Sequence, residues 1–438
     1  MEKIALISLG CAKNLVDSEV MLGYLKKDGY GFTSKLEEAD VIIINTCGFI
    51  KESRKESFEE IKRASKLKKS SRLKRIIVTG CYVEREKKEL KETFPEVDSW
   101  LGVRDFDKIG DLIRGKTFLE SDACFLYSHT SPRELSTPPS WTYIKISEGC
   151  SHKCSFCAIP LIKGPYRSRE INSIVEEAEM LTSRGIKEIN LISQDSTYFL
   201  REKGKEDGLV SLLKELLKIR GIEWIRILYG YPEEIDDELL EIIQEEKICS
   251  YLDLPFQHSH PRILRKMKRG MEGKKALKFI EKIRKKIPDI ALRTSLIVGF
   301  PGEGNEEFED LKLFVQEARL DHIGVFTYSR ERGTEAYLLG DPVKESVKEK
   351  RKRKIMELQA EISYVNNSKY LNQKVDVLIE GMLKEDETIL VGRGEFQAPE
   401  VDGVIFVEAN QKAGRLLNKI HKVEIVGYDV YDLYGKIV

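Results

Sequence analysis

Short apolar runs alternate with charged, helix-period stretches along the first third of the chain. β-Branched runs of this length are typical of buried parallel strands, and the stretches between them, such as 17–27 and 53–66, have the pattern of crossover helices. We therefore expect repeated βα units and an α/β domain over residues 1–128. The three predicted strands are 3–9, 41–45 and 75–79.

Each of these strands ends within two residues of a cysteine, namely Cys11, Cys47 and Cys81. The carboxyl ends of parallel strands converge on one crevice, so thiols that are distant in sequence can meet there. Three thiolates in one crevice indicate a metal cluster. The alternative is that each cysteine packs as a small apolar residue.

A second domain is expected after residues 129–140 (HTSPRELSTPPS), a segment without apolar periodicity that predicts a linker lying over the surface. The next strand leads into a CxxxCxxC loop formed by Cys150, Cys154 and Cys157. Three thiolates leave one iron of a four-iron cluster without a protein ligand, and an open iron can chelate a substrate. Structural zinc sites close with four ligands, whereas this loop offers three thiolates.

Three histidines are the remaining zinc candidates: His152 inside the loop, and the pair His258 and His260 further along the chain. We interpret them as surface or supporting groups and set zinc aside.

Six βα units are predicted over residues 141–342, counting the strand before Cys150. This number is typical of a partial TIM-type (β/α)6 barrel, whose site lies at the carboxyl ends of its strands. The further strands are expected at 188–192, 224–228, 251–254, 291–298 and 322–327.

The last part of the chain changes character twice. Residues 343–370 are highly charged, with apolar positions spaced for a connecting helix. Residues 371–438 contain short β-branched runs separated by glycines, which predict a small β-barrel of about five strands. Glu385, Asp386 and Glu387 are expected at a hairpin tip. Because both cysteine sets lie upstream, deletion of this barrel is expected to spare their chemistry.

Length, charge and composition limit the number of domains, the kind of recognition and the compartment. The chain has 438 residues, enough for two or three domains, and its Lys plus Arg and Asp plus Glu each total 73, so electrostatic recognition must be local. Neither a signal-like start nor a membrane-length apolar run is seen, which predicts the cytosol. In that reducing compartment the eight cysteines are not expected to form disulfides. Cys124 and Cys249 are interpreted as packing residues.

The CxxxCxxC loop, with Phe156 before its third cysteine, resembles the signature of the radical S-adenosylmethionine (SAM) superfamily. The resemblance implies a 4Fe–4S cluster on Cys150, Cys154 and Cys157, SAM chelated to its open iron, and reductive cleavage to a 5′-deoxyadenosyl radical. It also implies a set of SAM contacts at strand ends: Phe156, Ser193, Gln194, Asp195, Gln257, Arg293, Gly299 and Pro301.

These contacts have different expected partners. Ser193, Gln194 and Asp195 would hold the SAM amino group. Residues 297–303 resemble the adenine-contacting segment, although Ser295 replaces its first glycine, and Gly299 is expected to serve SAM rather than folding. Gln257 and Arg293 would bind the ribose hydroxyls and the carboxylate, or alternatively hydrogen-bond to neighbouring loops.

Over essentially the whole chain the sequence resembles the methylthiotransferases. The motifs LGCAKNLVDSE (9–19), NTCGFI (45–50) and TGCY (79–82) carry the likeness to their first domain. This resemblance implies an auxiliary 4Fe–4S cluster on Cys11, Cys47 and Cys81 that takes part in sulfur transfer, two SAM per turnover, and a C-terminal TRAM barrel. It implies no catalytic residue beyond the cluster ligands. An electron donor such as flavodoxin or ferredoxin and a monomeric state are also expected.

Two subfamilies differ in substrate. One modifies an adenosine beside the tRNA anticodon, and the other converts an aspartate of small-subunit ribosomal protein S twelve to 3-methylthioaspartate. The stretches KISEGCSHKCSFC (145–157), YLDLPFQHSHPRILRKMKRG (251–270) and APEVDG (398–403) resemble the second.

The net charge of the predicted C-terminal barrel also favours the ribosomal protein as substrate. Residues 371–438 contain 8 basic and 12 acidic residues, a formal net charge of −4. RNA binding needs positive charge, whereas an acidic barrel suits a basic ribosomal protein. We therefore expect the ribosomal protein to bind through this barrel, with tRNA as the alternative. Outside the family, an electron-transfer iron–sulfur protein is the alternative.

Overall fold

The N-terminal part is an open parallel sheet with helices on both faces. The computed structural model describes residues 2–70, 72–118, 120–384, 386–409 and 413–438, with Ser70 and Glu387 described by their backbone only. No helix within these ranges is long and apolar enough to cross a membrane. The first elements are β1 Lys3–Ser8, α1 Ala12–Lys27, β2 Gly31–Phe32, β3 Val41–Thr46, α2 Lys51–Ser70, β4 Arg75–Gly80, α3 Cys81–Thr93, β5 Ser99–Leu101 and α4 Ile109–Ile113.

This sheet has the strand order β2-β1-β3-β4-β5, with every neighbouring pair parallel. Its central strand β3, which reads VIIINT, is buried at all six positions because helices cover both faces. The α/β prediction for this half is therefore confirmed.

Six longer strands of the middle part form two parallel three-stranded sheets, β10-β9-β6 and β11-β12-β13, joined by a parallel bridge between Ile225 and Ile248. This arrangement confirms the partial (β/α)6 barrel. Its elements are β6 Trp141–Lys145, β7 Ser147–Glu148, α5 Ile159–Lys163, β8 Arg167–Ser168, α6 Ile171–Ser183, β9 Glu188–Ile192, α7 Gly208–Leu217, β10 Trp224–Ile227, α8 Asp237–Ile242, β11 Tyr251–Asp253, α9 Pro261–Met267, α10 Gly273–Lys286, β12 Ala291–Val298, α11 Asn305–Ala318 and β13 His322–Thr327.

A long helix leads to a closed five-stranded barrel of order β14-β15-β16-β18-β17, as the glycine-punctuated pattern predicts. The elements are α12 Glu345–Ser368, β14 Lys374–Leu383, β15 Asp386–Gly394, β16 Ile405–Glu408, β17 Ile420–Tyr428 and β18 Leu433–Ile437. Asp386 begins β15 beside the expected hairpin tip, while Glu385 and the side chain of Glu387 lie outside the described residues. Short 3-10 helices span Leu36–Glu38, Phe106–Lys108, Ser196–Tyr198, Arg201–Lys203, Pro232–Glu234, Glu335–Leu339 and Ala413–Arg415.

The C-terminal barrel docks on the amino-terminal ends of the partial-barrel strands. Arg393 is paired with Glu188, the first residue of β9, at 2.6 Å, and Glu188 also accepts a bond from Arg226 at 2.8 Å. Tyr143 donates to Glu400 at 2.9 Å, and Tyr251 donates to Asp402 at 2.7 Å. The docking face therefore lies at the opposite end of the strands from the CxxxCxxC loop.

This docking bears on two expectations about the C-terminal barrel. Three of its acidic residues contact the partial barrel, namely Glu395, Glu400 and Asp402, and Glu380 pairs with Arg393 inside the C-terminal barrel itself. The net charge of the segment therefore does not describe its outer surface. Deletion would also leave Glu188 and Arg226, both 0% exposed, open to water without Arg393, so it would disturb the partial barrel itself.

The segment predicted as a surface linker, 129–140, is bound more firmly than expected. The guanidinium of Arg133 is buried and pairs with Glu19 of α1 at 2.6 Å and with Glu177 of α6 at 2.8 Å. Gly23 lies against this segment so closely that a Cβ would be 2.3 Å from the Pro132 carbonyl oxygen. The segment joins α1 to the partial barrel rather than crossing open surface.

Replacing Arg393 with methionine should lower the free energy of unfolding by about 3 kcal/mol, because a buried carboxylate loses its partner. The matched control is Lys422→Met on the same barrel, since the Lys422–Asp376 pair is exposed and should contribute less than about 1 kcal/mol. Denaturant unfolding of the full-length variants measures both. Equal stability of the two variants would show that the buried pair does not hold the barrel in place.

Candidate functional site

The three N-terminal cysteines lie at one edge of the first sheet. Cys11 is the N-cap of α1, Cys47 directly follows β3, and Cys81 is the first residue of α3. Their loops approach closely because glycines stand at the contacts. A Cβ on Gly10 would lie 2.9 Å from Cys47 Sγ, and one on Gly48 would lie 2.7 Å from the Cys81 carbonyl oxygen.

The donor set fits a cluster. Three thiols meet, and two of them stand at helix N-termini. Burial raises the pKa of Cys47 and of Cys81, so metal binding must displace their protons. Among the described residues neither cysteine set is arranged to hold a single metal ion.

The CxxxCxxC loop follows β6 and is folded back against the loop after α5. Cys150 N–H donates to the Gly164 carbonyl at 3.1 Å, and a Cβ on Gly149 would lie 2.2 Å from the Pro165 oxygen, so only glycine fits there. Burial raises the pKa of Cys150 to about 11 and that of Cys157 to about 12. Both thiols are therefore protonated at neutral pH until metal binds.

A stacked column stands beside this loop. The His152 ring is stacked on the Tyr231 ring with their centroids 3.9 Å apart, and the Arg269 guanidinium lies 3.8 Å from the Tyr231 ring centroid. Arg269 Nη1 is 3.8 Å from Cys154 Sγ, and His152 Nε2 is 2.5 Å from Asp195 Oδ2. The column thus connects the cysteine loop to the end of β9.

The other two histidines have local roles. His258 Nδ1 accepts from the His260 backbone N–H at 3.0 Å, and His260 Nδ1 caps α9 by accepting from Arg262 N–H at 3.2 Å.

Three of the candidate SAM contacts come together with the cysteine loop. Ser193, Gln194 and Asp195 directly follow β9; Gln194 donates to Glu148 Oε1 at 3.2 Å, and Asp195 meets His152 as described. Two buried polar atoms near this strand end have no hydrogen-bond partner within the described residues: Ser147 Oγ and Gln194 Oε1. Unsatisfied buried atoms of this kind fit a polar ligand.

Phe156, Pro301 and Gln257 border the same end of the partial barrel. Phe156 packs with the cluster formed by Ile263, Met267 and Phe300, and the Pro301 carbonyl accepts from Lys266 at 3.4 Å. Gln257 has a φ of +69°, a left-handed conformation that is uncommon for a side chain of this kind and often found at functional sites.

Arg293 does not have the position expected of a SAM contact. It is the third residue of β12, far from the strand's carboxyl end, and its Nη1 lies 3.3 Å from Asp253 Oδ1. Its Nε lies 3.5 Å from Asp402 of the C-terminal barrel. The alternative reading, a residue bonded to neighbouring segments, describes these contacts.

Gly299 has a structural role of its own, so the expectation that it serves SAM rather than folding is too narrow. Its φ is +76°, and a Cβ would lie 2.4 Å from Cγ of Lys348, a buried residue of α12. The nearest group to the added carbon is thus a packed side chain.

A buried ionic junction, missed in the sequence, connects the two cysteine sets. Asp17 of α1 pairs with Lys145 of β6 and, at 3.1 Å, with Lys163 of α5, while Glu148 Oε2 lies 2.7 Å from Lys145 Nζ. All four side chains are at most 4% exposed. Burial alone would raise the pKa of Glu148, but the two lysines overcome this and lower it to about 2.

Lys13 is a second residue that sequence reasoning missed. Its Nζ donates to the Ser193 carbonyl at 3.2 Å and lies 3.4 Å from the centroid of the Tyr229 ring. Lys13, Asp17, Lys145 and Glu148 all lie inside the quoted motifs, so the signal was present, but nothing local distinguishes them from solvated charges.

Cys124 and Cys249 lie in apolar clusters, at 6% and 1% exposure, as packing residues would.

Known families match three consecutive parts of the chain. The uncharacterized protein family UPF0004 matches residues 3–102, the Radical SAM superfamily matches 144–315, and the TRAM domain matches 373–438. The ribosomal protein uS12 methylthiotransferase RimO of Aquifex aeolicus is 46% identical over 99% of this chain and 97% of its own length. The corresponding protein of Citrifermentans bemidjiense is 44% identical over 100% of this chain and 98% of its own length.

The chain belongs to the RimO family of radical SAM methylthiotransferases. As a RimO-family member it is a transferase, and the family implies SAM and a 4Fe–4S cluster as cofactors.

Solved structures show the same fold at low identity. The radical SAM methyltransferase TsrM from Kitasatospora setae has a TM-score of 0.52 at 15% identity, covering 77% of each chain. The cobalamin-dependent radical enzyme OxsB also has a TM-score of 0.52, at 13% identity, covering 82% of this chain and 56% of its own. For the RimO-family chain these likenesses support the architecture alone.

Replacing Gly299 with alanine should lower the free energy of unfolding in the absence of SAM by about 1–3 kcal/mol more than Gly340→Ala does. The two glycines have nearly the same φ, +76° and +75°, but a Cβ on Gly340 would meet nothing within 4 Å. The comparison isolates the contact with Lys348 from backbone strain. If thermal or denaturant unfolding shows equal losses of stability for the two variants, the contact with Lys348 does not matter for folding, and ligand binding is the only role left for Gly299.

Proposed function

We propose that this enzyme methylthiolates an aspartate side chain of ribosomal protein S12, giving 3-methylthioaspartate. The observation that carries the proposal is the identity of 44–47% to proteins named as uS12 methylthiotransferases over 94–100% of this chain. The likeness includes both cysteine sets, the partial barrel and the C-terminal barrel. The predicted units 1–128, 141–342 and 371–438, joined by 129–140 and 343–370, are part of this proposal.

We propose two 4Fe–4S clusters. Cys150, Cys154 and Cys157 would hold the one that binds SAM, and Cys11, Cys47 and Cys81 would hold the auxiliary one. Lys163, six residues after Cys157, partly offsets the burial that raises the pKa of Cys81, which supports placing both sets at the same domain boundary. This proximity suits a reaction in which one carbon is activated by one site and receives sulfur from the other.

When bound, SAM and the clusters supply a 5′-deoxyadenosyl radical, a sulfur atom and, from a second SAM, a methyl group. The protein's own groups position and shield these reactants. Ser193 and Asp195, at 0% and 2% exposure, present hydrogen-bonding groups beside the cysteine loop. Their burial excludes water, which would otherwise react with a radical or compete for these hydrogen-bonding groups.

The alternatives differ in what supports them. The electron-transfer alternative lacks support, because the family consists of transferases. The tRNA alternative is no longer opposed by the charge of the C-terminal barrel, since three of its acidic residues face the partial barrel. The choice of S12 thus depends on family likeness. Recognition through that barrel, the electron donor, the cytosolic setting and the monomeric state remain predictions.

Replacing Cys150, Cys154 and Cys157 with alanine should remove roughly half of the iron of the anaerobically reconstituted enzyme and abolish 5′-deoxyadenosine formation. Replacing Cys11, Cys47 and Cys81 should also remove roughly half of the iron but leave SAM cleavage measurable. The control is the double variant Cys124→Ala with Cys249→Ala, which should keep the full iron content. Full iron content in either triple variant would contradict the two-cluster proposal.

Purified, reconstituted enzyme should add a methylthio group to ribosomal protein S12 and leave an anticodon stem-loop RNA unmodified. Mass spectrometry of both substrates after reaction with SAM and a reductant measures the outcome, and the same comparison can be made in cells with and without the gene. Modification of the RNA with unmodified S12 would overturn the substrate and leave the two-cluster chemistry in place.

A further inference from the structure

Lys13 is a buried cation between the two cysteine sets. It is 9% exposed and lies on the first turn of α1, two residues after Cys11. Its ammonium group reaches across the domain boundary to the Ser193 carbonyl and the face of Tyr229. Tyr229 itself has a φ of +63°, an uncommon backbone conformation that the surrounding structure must hold in place.

This lysine has no carboxylate partner among the described residues. The nearby acids are already engaged: Asp17 with Lys145 and Lys163, and Glu148 with the same two lysines. Among the described residues, the ammonium group of Lys13 contacts the Ser193 carbonyl and the face of Tyr229 instead. A carbonyl and an aromatic face stabilise an ammonium group less than an anion does, and one of its three N–H donors has no acceptor assigned.

We propose that Lys13 binds the carboxylate of the aspartate that is modified, and thereby selects an acidic side chain. This inference rests on the proposed function. The carbon that reacts must reach both the SAM end, marked by Ser193, and the auxiliary end, marked by Cys11. In an aspartate side chain the carboxylate is one bond from that carbon, so a cation between the two ends is suitably placed.

Access supports this role. Cys11, two residues before the buried Lys13, is exposed. Two other anions could occupy the same position, namely the SAM carboxylate and the auxiliary cluster with its thiolates. The three possibilities differ in which measured quantity depends on Lys13.

The test is a double-mutant cycle on the reconstituted full-length enzyme. Lys13→Met removes the charge and keeps most of the side-chain volume, and S12 with its modified aspartate replaced by asparagine removes the charge on the substrate. Wild-type enzyme should bind normal S12 about 10- to 100-fold more tightly than the asparagine protein, and Lys13→Met should bind both equally. Iron content and SAM affinity should stay at the wild-type level.

Two controls keep the result interpretable. Lys27→Met makes the same change at the exposed end of α1 and should keep the discrimination. Lys13→Gln keeps a donor for the Ser193 carbonyl, so it serves if the methionine variant does not fold.

Retention of the discrimination without Lys13 would overturn the inference. A fall in SAM affinity or in iron content, with discrimination intact, would assign Lys13 to one of the other anions and overturn it as well. If wild-type enzyme does not modify S12 at all, the proposed function fails first, and this outcome is separate from any effect of Lys13.

Discussion

The buried ion pairs of Asp17 and Glu148 with Lys145 and Lys163 decide how the two cysteine sets lie relative to each other. Asp17 is on the helix that Cys11 caps, Glu148 is two residues before Cys150, and Lys163 is six residues after Cys157. A buried charge that loses its partner costs about 3–5 kcal/mol, so the domains cannot slide without a large penalty. The separation of the two reactive ends is set by this penalty.

Buried ion pairs also hold the C-terminal barrel to the other end of the partial barrel, where Glu188 pairs with Arg226 and Arg393. An apolar contact of equal area would stabilise the interface as well, but it tolerates small shifts because dispersion has little directionality. Ion pairs of fixed geometry define one register. The N-terminal domain and the C-terminal barrel are thus both positioned by buried charged side chains of the partial barrel. The strands between these two sets of ion pairs fix where one domain lies relative to the other.

What the sequence could predict follows from the range of the forces involved. The bounds of β9, β12 and β13 match the predicted strands, because β-branched runs determine strands locally. The contacts of Arg133, Arg293 and Gly299 could not be predicted, for the opposite reason. Their partners lie on other elements, and a charged residue in a polar segment looks solvated until its partner is known. Lys145 and Asp17 are 128 positions apart, and no local pattern joins them.

Charge at the junction bears on substrate choice more directly than the net charge of the C-terminal barrel does. That barrel's acidic residues are partly turned inward, so its total of −4 says little about a partner. Beside the junction, Lys13 has an ammonium group without a carboxylate partner in the described part of the chain. An RNA strand has a phosphate at each nucleotide and is bound by rows of accessible Lys and Arg. A single buried cation matches a single carboxylate, so the interior of this enzyme is suited to an aspartate side chain.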